Sequence, residues 1–333
     1  MTRILPIVDC PLSGEPQRIV ASSGIAAILR SAVIIASIVW ICSAIERCAA
    51  ADESVPPVAK VIEHRVMVCE YSDKAYRLAE ISADGKLTWE HKFPSVAVCF
   101  RMVGDGRVAF ADGGSPTGVQ IVDREHKVRF DYRAKCEQVM TCDVLANGNL
   151  LLAEQGPCQA VEVNAKGEIV ATVKLSTTEK AAHRQLRCLH RLDNGHYLAC
   201  HEAEAVVREY DAGGKPTWEY GGVTNVYEAL RLPNGNTLIG CGTDKRVIEV
   251  TPEKKVVWEF GGTDAPELNL TWITSLQVLK NGNFVIANFL RGQEGKGAHA
   301  FEVTHDKHKK VVWKYAAHDL VKSITMIRVL DDQ

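Results

Sequence analysis

The sequence predicts an all-β fold, a six-bladed β-propeller of four-stranded antiparallel blades. Three observations predict it. A two-residue turn phrase recurs between apolar runs at a period of 40–47 residues. A second, charged turn follows each copy and precedes a strand that carries a large aromatic residue. The first unit lacks one strand, and the C-terminus supplies a segment that matches it.

The turn phrase is Asn-Gly or Asp-Gly, the strongest short-range signal for a β-hairpin. Its glycines are separated by 42, 47, 40 and 47 residues. If these are two-residue turns, both of their residues take positive φ. The five copies are Asp105-Gly106, Asn147-Gly148, Asn194-Gly195, Asn234-Gly235 and Asn281-Gly282.

A charged turn and an aromatic strand form the second half of each unit. The aromatic residues are Trp89, Phe130, Trp218, Trp258 and Trp313, and Ala171 takes this place in the third unit. A buried Trp covers about 150–250 Å². Because these residues recur at one position of the repeat, we expect them to pack between blades rather than to carry a ligand.

The blade count depends on how the ring closes. The first unit, from residue 64, has three strands, and residues 323–332 match the missing innermost strand. We therefore expect the C-terminal strand to complete blade 1, since an open ring would leave an unpaired strand edge. The predicted organisation is a signal peptide (1–51), a short linker (52–63) and the propeller (64–333).

The N-terminal segment has the pattern of an export signal. Arg30 precedes an uncharged apolar stretch over residues 31–45, and Ala49-Ala50-Ala51 follow. This predicts cleavage after Ala51 and a periplasmic or extracellular protein. An uncleaved anchor is the alternative, although the stretch is shorter than the roughly 20 residues of a spanning helix. Beyond this segment we expect no membrane contact.

Charge and cysteine content limit the partners. The formal net charge is −2, with acidic and basic residues mixed throughout, so we expect no nucleic-acid binding. We expect a monomer whose partner is a protein or a polar small molecule. Eight cysteines follow residue 51. Cys136 and Cys158 are the best candidates for a disulfide because both are placed at one rim, and buried free thiols are the alternative.

One position of the repeat is mostly polar. Six residues after each turn glycine, at the end of the second strand, the sequence has Asp112, Glu154, His201, Cys241 and Asn288, and Glu70 matches them in blade 1. Arg187 and Glu228 lie near the same rim, and His183 precedes them. These residues are candidates for binding a polar ligand around the central channel. The alternative is that strand ends are polar simply because the chain returns to water there.

A metal is a further possibility at this rim. Oxygen ligands from Glu70, Asp112, Glu154 and Asn288 suit Ca²⁺ better than a transition metal. His190, His196 and His201 are close in sequence, but His196 belongs to a turn at the opposite rim from His201. We therefore expect these histidines to be apart in space.

The repeat also resembles known families. Asp84-Gly85-Lys86-Leu87-Thr88-Trp89 and Gly213-Gly214-Lys215-Pro216-Thr217-Trp218 resemble the repeat of pyrroloquinoline-quinone (PQQ) type β-propellers. The quinone-dependent dehydrogenases of this superfamily have eight blades, a pair of adjacent cysteines and a Ca²⁺ site. This chain is shorter and has no adjacent cysteines, so we expect that PQQ does not bind.

A second resemblance concerns the turn phrase. Leu232-Pro233-Asn234-Gly235-Asn236-Thr237-Leu238 is similar to arylsulfotransferase-like propellers, which place a His before the turn. The matching positions, eight residues before each glycine, are Val98, Met140, Arg187, Tyr227 and Thr274. None is a histidine, so sulfotransfer lacks its expected catalytic residue.

Two functions fit these observations. The first is an exported module that binds a ligand or a protein through one rim. The second is a hydrolase, lyase or transferase acting on a sugar or ester at the polar ring. The fold hosts both classes. The sequence has no nucleophile elbow, no glycine-rich phosphate loop and no paired-carboxylate motif, which favours binding.

Overall fold

A computed structural model describes residues 63–72, 75–93 and 95–331. The predicted signal peptide and most of the predicted linker lie outside the described residues. Within the described part of the chain, no helix is long and apolar enough to span a membrane.

Regular structure in the described residues consists of 24 strands and three single turns of 3₁₀-helix. The first twelve strands are β1 (Val66–Ser72), β2 (Ala75–Ile81), β3 (Leu87–Lys92), β4 (Phe100–Val103), β5 (Arg107–Asp112), β6 (Gly118–Val122), β7 (Val128–Arg133), β8 (Gln138–Val144), β9 (Leu150–Gln155), β10 (Gln159–Val163), β11 (Ile169–Lys174) and β12 (Leu186–Arg191). The remaining strands are β13 (Tyr197–His201), β14 (Val206–Tyr210), β15 (Pro216–Gly221), β16 (Glu228–Arg231), β17 (Thr237–Gly240), β18 (Arg246–Val250), β19 (Val256–Gly261), β20 (Ile273–Val278), β21 (Phe284–Asn288), β22 (Ala300–Val303), β23 (Val311–Tyr315) and β24 (Ile324–Val329). The 3₁₀ turns are Gly104–Gly106, Ala182–Arg184 and Pro266–Leu268.

The strands form six four-stranded antiparallel sheets, which confirms the predicted six-bladed propeller. Blade 1 has the strand order β24-β1-β2-β3, and blades 2 to 6 each use four consecutive strands. The innermost strands are therefore β24, β4, β8, β12, β16 and β20. We call the rim where these strands begin the upper rim, and the rim with the Asn-Gly turns the lower rim.

Closure of the ring also follows the prediction. β24 pairs with β1 in an antiparallel register that places Val66 opposite Val329 and Cys69 opposite Met326. Four apolar side chains of β24 are buried: Ile324, Met326, Ile327 and Val329. The C-terminal strand thus supplies both hydrogen bonds and apolar surface to blade 1.

The hydrophobic core lies between neighbouring blades. Both faces of the inner strands are apolar, so each sheet packs against one sheet on either side. One such cluster joins blades 1, 2 and 3 through Met67, Phe100, Val108 and Val139, all of which are fully buried. The outermost strands leave exposed residues such as Val128 and Val257.

Turn geometry differs from the predicted two-residue turns. In the first copy Asp105 and Gly106 both take positive φ (65° and 72°), but three residues, Gly104–Gly106, separate the paired Val103 and Arg107. In the other copies the glycine alone does so, as at Gly148 with φ of 83°. Gly148 N donates to Leu145 O at 2.8 Å and Leu145 N donates to Asn149 O at 2.9 Å. This is a three-residue loop, a type I turn followed by a left-handed glycine.

The asparagine explains that difference. Asn147 Oδ1 accepts a hydrogen bond from Asn149 N at 3.0 Å, which holds the asparagine backbone in the turn without positive φ. The side-chain amides of Asn147 and Asn149 both donate to Glu162 Oε1 of β10. Glu249 and Glu302 receive the same paired donors in blades 5 and 6.

The aromatic residues of the outer strands connect neighbouring blades. Trp89 Nε1 donates to Arg124 O at 2.9 Å, and Trp218 Nε1 donates to Pro252 O at 2.9 Å. Each acceptor lies in the charged turn of the next blade. The tryptophans therefore act between blades, as predicted, although Trp89, Trp218 and Trp258 are only half-buried.

Candidate functional site

The acidic members of the predicted polar ring are held within their own blades. Glu70 Oε2 accepts from Arg77 Nε at 2.7 Å, and Glu70 Oε1 accepts from the backbone N of Lys322 at 2.8 Å. Asp112 Oδ2 accepts from Arg133 at 2.7 Å. These carboxylates are buried and already paired with cations.

The other members have similar local roles. Glu154 accepts from Gln159 at 2.8 Å, and His201 Nε2 lies 2.7 Å from the Tyr210 hydroxyl. Asn288 accepts from Thr271 N at 2.8 Å and donates to Ala298 O at 2.9 Å, which ties two loops of blade 6 together. Cys241 is a buried free thiol. Within the described residues, the structure does not gather Glu70, Asp112 and Glu154 around one centre.

In blades 1, 4 and 6 the residue after the ring position faces the channel mouth instead. These residues are Tyr71, Glu202 and Phe289, and all three line one cavity. Successive side chains of a strand point to opposite faces, so a step of one residue moves a side chain to the other face. The position in the repeat therefore predicts the rim correctly, but the strand pleat determines which of two successive side chains points to the channel mouth.

That cavity is the mouth pocket, a space of about 110 Å³ at the upper rim to which all six blades contribute. Its walls are Tyr71, Val96, Val98, Met140, His183, Arg187, Glu202, Tyr227, Trp272, Phe289, Arg291 and Thr325. Four of the positions eight residues before the turn glycines are among them, including Arg187. Of the candidate residues named from the sequence, the structure brings Arg187 and His183 to this pocket.

Four aromatic rings form a continuous arc in the mouth pocket. Tyr227 and Trp272 meet edge to face with ring centroids 5.1 Å apart, and Trp272 meets Phe289 at 5.9 Å. Phe289 in turn contacts Tyr71 at 5.8 Å. Phe289 is buried, while Tyr71, Tyr227 and Trp272 are half-buried. The last three therefore leave aromatic surface open to the pocket.

Two arginines flank this arc in different states. Arg187 is buried, with its Nε bonded to Glu202 Oε2 and its guanidinium 4.9 Å from the centre of the Tyr227 ring. Burial raises the pKa of Tyr227 to about 12, so its phenol stays protonated. Arg291 is exposed and lies 5.8 Å from the Tyr71 ring centre, and it forms no ion pair with the described residues.

His183 adds a titratable group to the pocket wall. It lies in the 3₁₀ turn before β12, and its Nδ1 is 2.8 Å from Gln138 Oε1. Because an amide oxygen only accepts, Nδ1 carries the proton and Nε2 is left with a lone pair. Burial, and then the positive charge of Arg187, lower the pKa of His183. The imidazole is therefore neutral near pH 7.

A second polar group lies deeper, inside the channel. We call it the channel cluster: Arg101, Asp143, His190, Glu228 and Arg328, one residue from each of five innermost strands. His190 Nδ1 is 2.7 Å from Asp143 Oδ2 and His190 Nε2 is 2.7 Å from Glu228 Oε1. Arg101 pairs with Asp143 at 3.1 Å, and Arg328 lies 3.8 Å from Glu228. Of the predicted residues, Glu228 belongs here.

Electrostatics fix the protonation of the channel cluster. Burial disfavours a charged imidazole, but the hydrogen bonds to Asp143, Cys188 and Glu228 outweigh it and raise the pKa of His190 well above its usual value. His196 instead bonds to Glu209, and His201 to Tyr210. The three histidines are therefore apart in space, as expected, but sequence reasoning gave His190 no role.

The cysteines are free thiols in the structure, including Cys136 and Cys158. Cys136 Sγ donates to Gln138 O at 3.4 Å, while Cys158 is buried. The predicted bond between them is not formed here. Burial raises the pKa of both thiols to about 11.

Comparison with known proteins supports the fold. No family model and no curated protein matches the chain. A protein of unknown function from Bacteroides caccae is 23% identical, with 80% of this chain and 98% of that chain covered at a TM-score of 0.71. A streptogramin B lyase is 13% identical, with 76% and 84% covered at a TM-score of 0.54. The WD40 propeller domain of Doa1 is 16% identical, with 74% and 79% covered at a TM-score of 0.53. At these identities the likeness establishes a β-propeller fold and nothing finer.

Proposed function

We propose that this protein is a binding module that takes a small anionic ring compound, such as an aromatic or sugar acid, in the mouth pocket. The observation that carries this is a pocket built by all six blades that combines open aromatic surface with an arginine that has no ion-pair partner among the described residues. Convergence of several polar and aromatic groups in a concave site is typical of ligand pockets.

The aromatic arc accounts for the ring. Tyr71, Tyr227 and Trp272 are half-buried, so a planar or sugar ring laid against them removes further apolar surface from water. The cavity of about 110 Å³ is small, which limits the enclosed part of a ligand to a group of roughly ring size.

The arginines account for the negative charge. Arg187 is already neutralised by Glu202, so it mainly positions Tyr227. Arg291 is exposed and has no carboxylate partner among the described residues, which leaves its planar donors for a carboxylate of the ligand. We therefore assign selection of charge to Arg291.

A binding screen with matched ligands tests this proposal. Aromatic and sugar acids, each paired with its neutral amide, are titrated against the protein by calorimetry. We expect an acid to bind at least about tenfold more tightly than its amide, a difference of about 1.4 kcal/mol. Arg291→Gln removes that preference, and Trp272→Ala weakens both members of a pair.

Arg107→Gln is the control, because Arg107 lies beside the turn at the lower rim. Equal losses in Arg291→Gln and Arg107→Gln contradict the proposal, and so does the absence of binding by every acid in the panel.

A second candidate function is a lyase or hydrolase acting on a sugar or ester. The observation favouring it is His183, whose neutral imidazole presents an unengaged Nε2 at the pocket wall. Such a nitrogen can accept a proton next to a carboxylate that an arginine neutralises. The streptogramin B lyase has a similar fold, but at 13% identity that similarity supports the fold alone.

Turnover separates the two functions. If the protein is an enzyme, panels of esters and acidic sugars reveal a product, and His183→Gln abolishes turnover while ligand affinity stays within about twofold. If wild-type protein turns over none of the compounds that bind, the binding function stands alone.

Calcium at Glu70, Asp112, Glu154 and Asn288 remains a proposal. Each of these side chains already has partners in its own blade, so Ca²⁺ has to displace them. Thermal-shift measurements with Ca²⁺, EDTA and PQQ test it. Stabilisation by Ca²⁺ that Glu154→Gln removes supports the site, and we expect no shift with PQQ.

Export and the type of repeat are further proposals. The apolar stretch 31–45 followed by Ala49-Ala50-Ala51 supports export, and the turn-to-tryptophan element supports a PQQ-type repeat. Mass spectrometry of the N-terminus isolated from a cell envelope fraction tests cleavage after Ala51. An intact N-terminus there favours the uncleaved anchor.

A further inference from the structure

A thiol, an imidazole and a carboxylate come together in the channel wall. The ligand atoms of Cys188, His190 and Glu228 all lie within 4.8 Å of one another. Cys188 and His190 are two residues apart on β12, which places them on the same face of the strand, and Glu228 begins the neighbouring β16. No other group of three or more such side chains lies this close within the described part of the chain.

We propose that Cys188, His190 and Glu228 bind one divalent transition-metal ion, and that zinc is the metal that fits best. Thiolate, imidazole and carboxylate are the three ligand types of protein zinc sites. The sulfur ligand argues against Ca²⁺ and Mg²⁺, which prefer oxygen. Three protein ligands leave a fourth position open to water or to a small ligand.

The surroundings of His190 are those of a metal ligand. Its Nδ1 is 2.7 Å from Asp143 Oδ2, and Asp143 is itself held by Arg101. A carboxylate bound to one ring nitrogen orients the other nitrogen towards the metal. In this structure that other nitrogen, Nε2, is the one facing Glu228 at 2.7 Å. Asp143 is therefore the positioning residue of the site.

The charge of the cluster permits a dication. Both ring nitrogens of His190 lie against carboxylate oxygens, an arrangement that only the doubly protonated imidazolium satisfies. Zinc takes the place of the proton on His190 Nε2, so the dication meets the Glu228 carboxylate and the Cys188 sulfur.

The geometry needs small adjustments. With bond lengths of about 2.0–2.3 Å, the ligand atoms of a tetrahedral zinc site lie about 3–4 Å apart. The 2.7 Å separation of His190 Nε2 and Glu228 Oε1 therefore opens, and any pair near the 4.8 Å limit closes, by about 1 Å as the ion enters.

An entry path leads to the cluster from the lower rim. A cavity of about 640 Å³ opens between the turns of blades 4 and 5, and Asp143 and His190 are part of its wall. Metal therefore reaches the channel from the face opposite the mouth pocket. The site and the proposed ligand pocket can be tested separately.

Cys200 lies close enough to Cys188 to form a disulfide with it, which would prevent Cys188 from binding a metal. Its Sγ lies 3.0 Å from Cys188 Sγ across the β12–β13 pair. Exchange with a low-molecular-weight disulfide would join the two sulfurs, pass two electrons and two protons to the two small thiols that leave, and remove the ligand. The test therefore uses the full chain kept reduced, with its thiols counted before each titration.

Metal binding is measured with Zn²⁺ alone, against a chromophoric chelator, and with Co²⁺ as a spectroscopic probe. We expect one equivalent of Zn²⁺ per chain and a thiolate-to-cobalt absorption band in the wild-type protein. Cys188→Ser abolishes the band and weakens zinc binding by at least about 100-fold, and Asp143→Asn weakens it by about 10–100-fold. Cys241→Ser, at a buried thiol outside the cluster, leaves both unchanged.

Three results would overturn the proposal. One is wild-type protein that binds less than one equivalent of Zn²⁺ when fully reduced. Another is a cobalt band that survives Cys188→Ser. The third is an equal loss in Cys188→Ser and Cys241→Ser. Because the wild-type cobalt spectrum depends on no variant, and Glu228→Gln offers a near-isosteric second change, poor folding of one variant does not decide the outcome.

Discussion

At the scale of single residues, Arg187 shows how burial assigns roles in the mouth pocket. Its side chain is 2% exposed, and its guanidinium pairs with Glu202 and lies over the Tyr227 ring. A charge so deeply buried is tolerated only with its partner in place. Arg187 therefore holds the pocket wall, while the exposed Arg291 is left to meet a ligand.

Removing one partner of that pair is expected to be costly. Arg187→Met leaves the Glu202 carboxylate buried beside only Arg184, at 4.0 Å, and we expect a loss of about 3–5 kcal/mol in the free energy of unfolding. Adding Glu202→Leu to Arg187→Met restores part of that loss. Urea denaturation measures both. Lys86→Met, at an exposed pair with Asp84, serves as the control and leaves the midpoint unchanged.

His299 gives the stability a pH dependence. Burial, and then the neighbouring His318, lower the pKa of His299 from 6.5 to about 4. Below pH 6.5 His299 binds a proton in the unfolded chain but stays neutral in the folded protein. The free energy of unfolding therefore falls as the pH drops from 6.5 to 4, by up to about 3 kcal/mol. His299→Gln, which keeps a donor for Lys322 O, flattens that slope in denaturation curves at pH 7 and pH 5. An equal flattening by His308→Gln, in an exposed turn, contradicts this assignment.

At the scale of elements, the Asn-Gly loops join the two inner strands of blades 3 to 6 at the lower rim. The glycine supplies the left-handed residue, and the asparagine amides clamp a glutamate of the third strand, as at Glu249. The recurrence of the phrase was visible in the sequence. Its turn type was not, because that depends on hydrogen bonds between the loop and the adjacent strand.

Substitutions at Gly235 and Gly262 distinguish the effect of backbone strain from the effect of steric crowding. A Cβ at either position meets no atom within 4 Å, but only Gly235 has positive φ, at 87°. We therefore expect Gly235→Ala to lower the free energy of unfolding by about 1–2 kcal/mol. Gly262→Ala should be neutral or slightly stabilising. Equal effects of the two substitutions in thermal denaturation would rule out a role for the left-handed backbone.

At the scale of the whole molecule, closure by β24 makes the two ends of the propeller one blade. Burial of Ile324, Met326, Ile327 and Val329 stabilises the fold by about 1.5–3 kcal/mol for each side chain. That sum is comparable to the roughly 5–15 kcal/mol net stability of a domain. It also seals the edge of β1, which would otherwise be open to aggregation.

Truncation before Ser323 is therefore expected to give unfolded or insoluble protein. Removal of residues 332–333 alone is the control and leaves the melting temperature unchanged. Soluble yield and a calorimetric melting curve measure the outcome. A truncated protein that melts like the full chain contradicts closure as the source of stability.

The sequence by itself determined the blade count, the closing strand and the rim at which polar residues collect, because these follow from a repeat period and from strand patterning within each unit. The tertiary structure alone decided which side chains meet. Tyr71, Tyr227, Trp272 and Phe289 come from blades 1, 5 and 6, and Asp143, His190 and Glu228 from the innermost strands of blades 3, 4 and 5. These residues come close together only because the ring closes. Which side chains point into the channel depends on the pleat, because successive residues of a strand point to opposite faces.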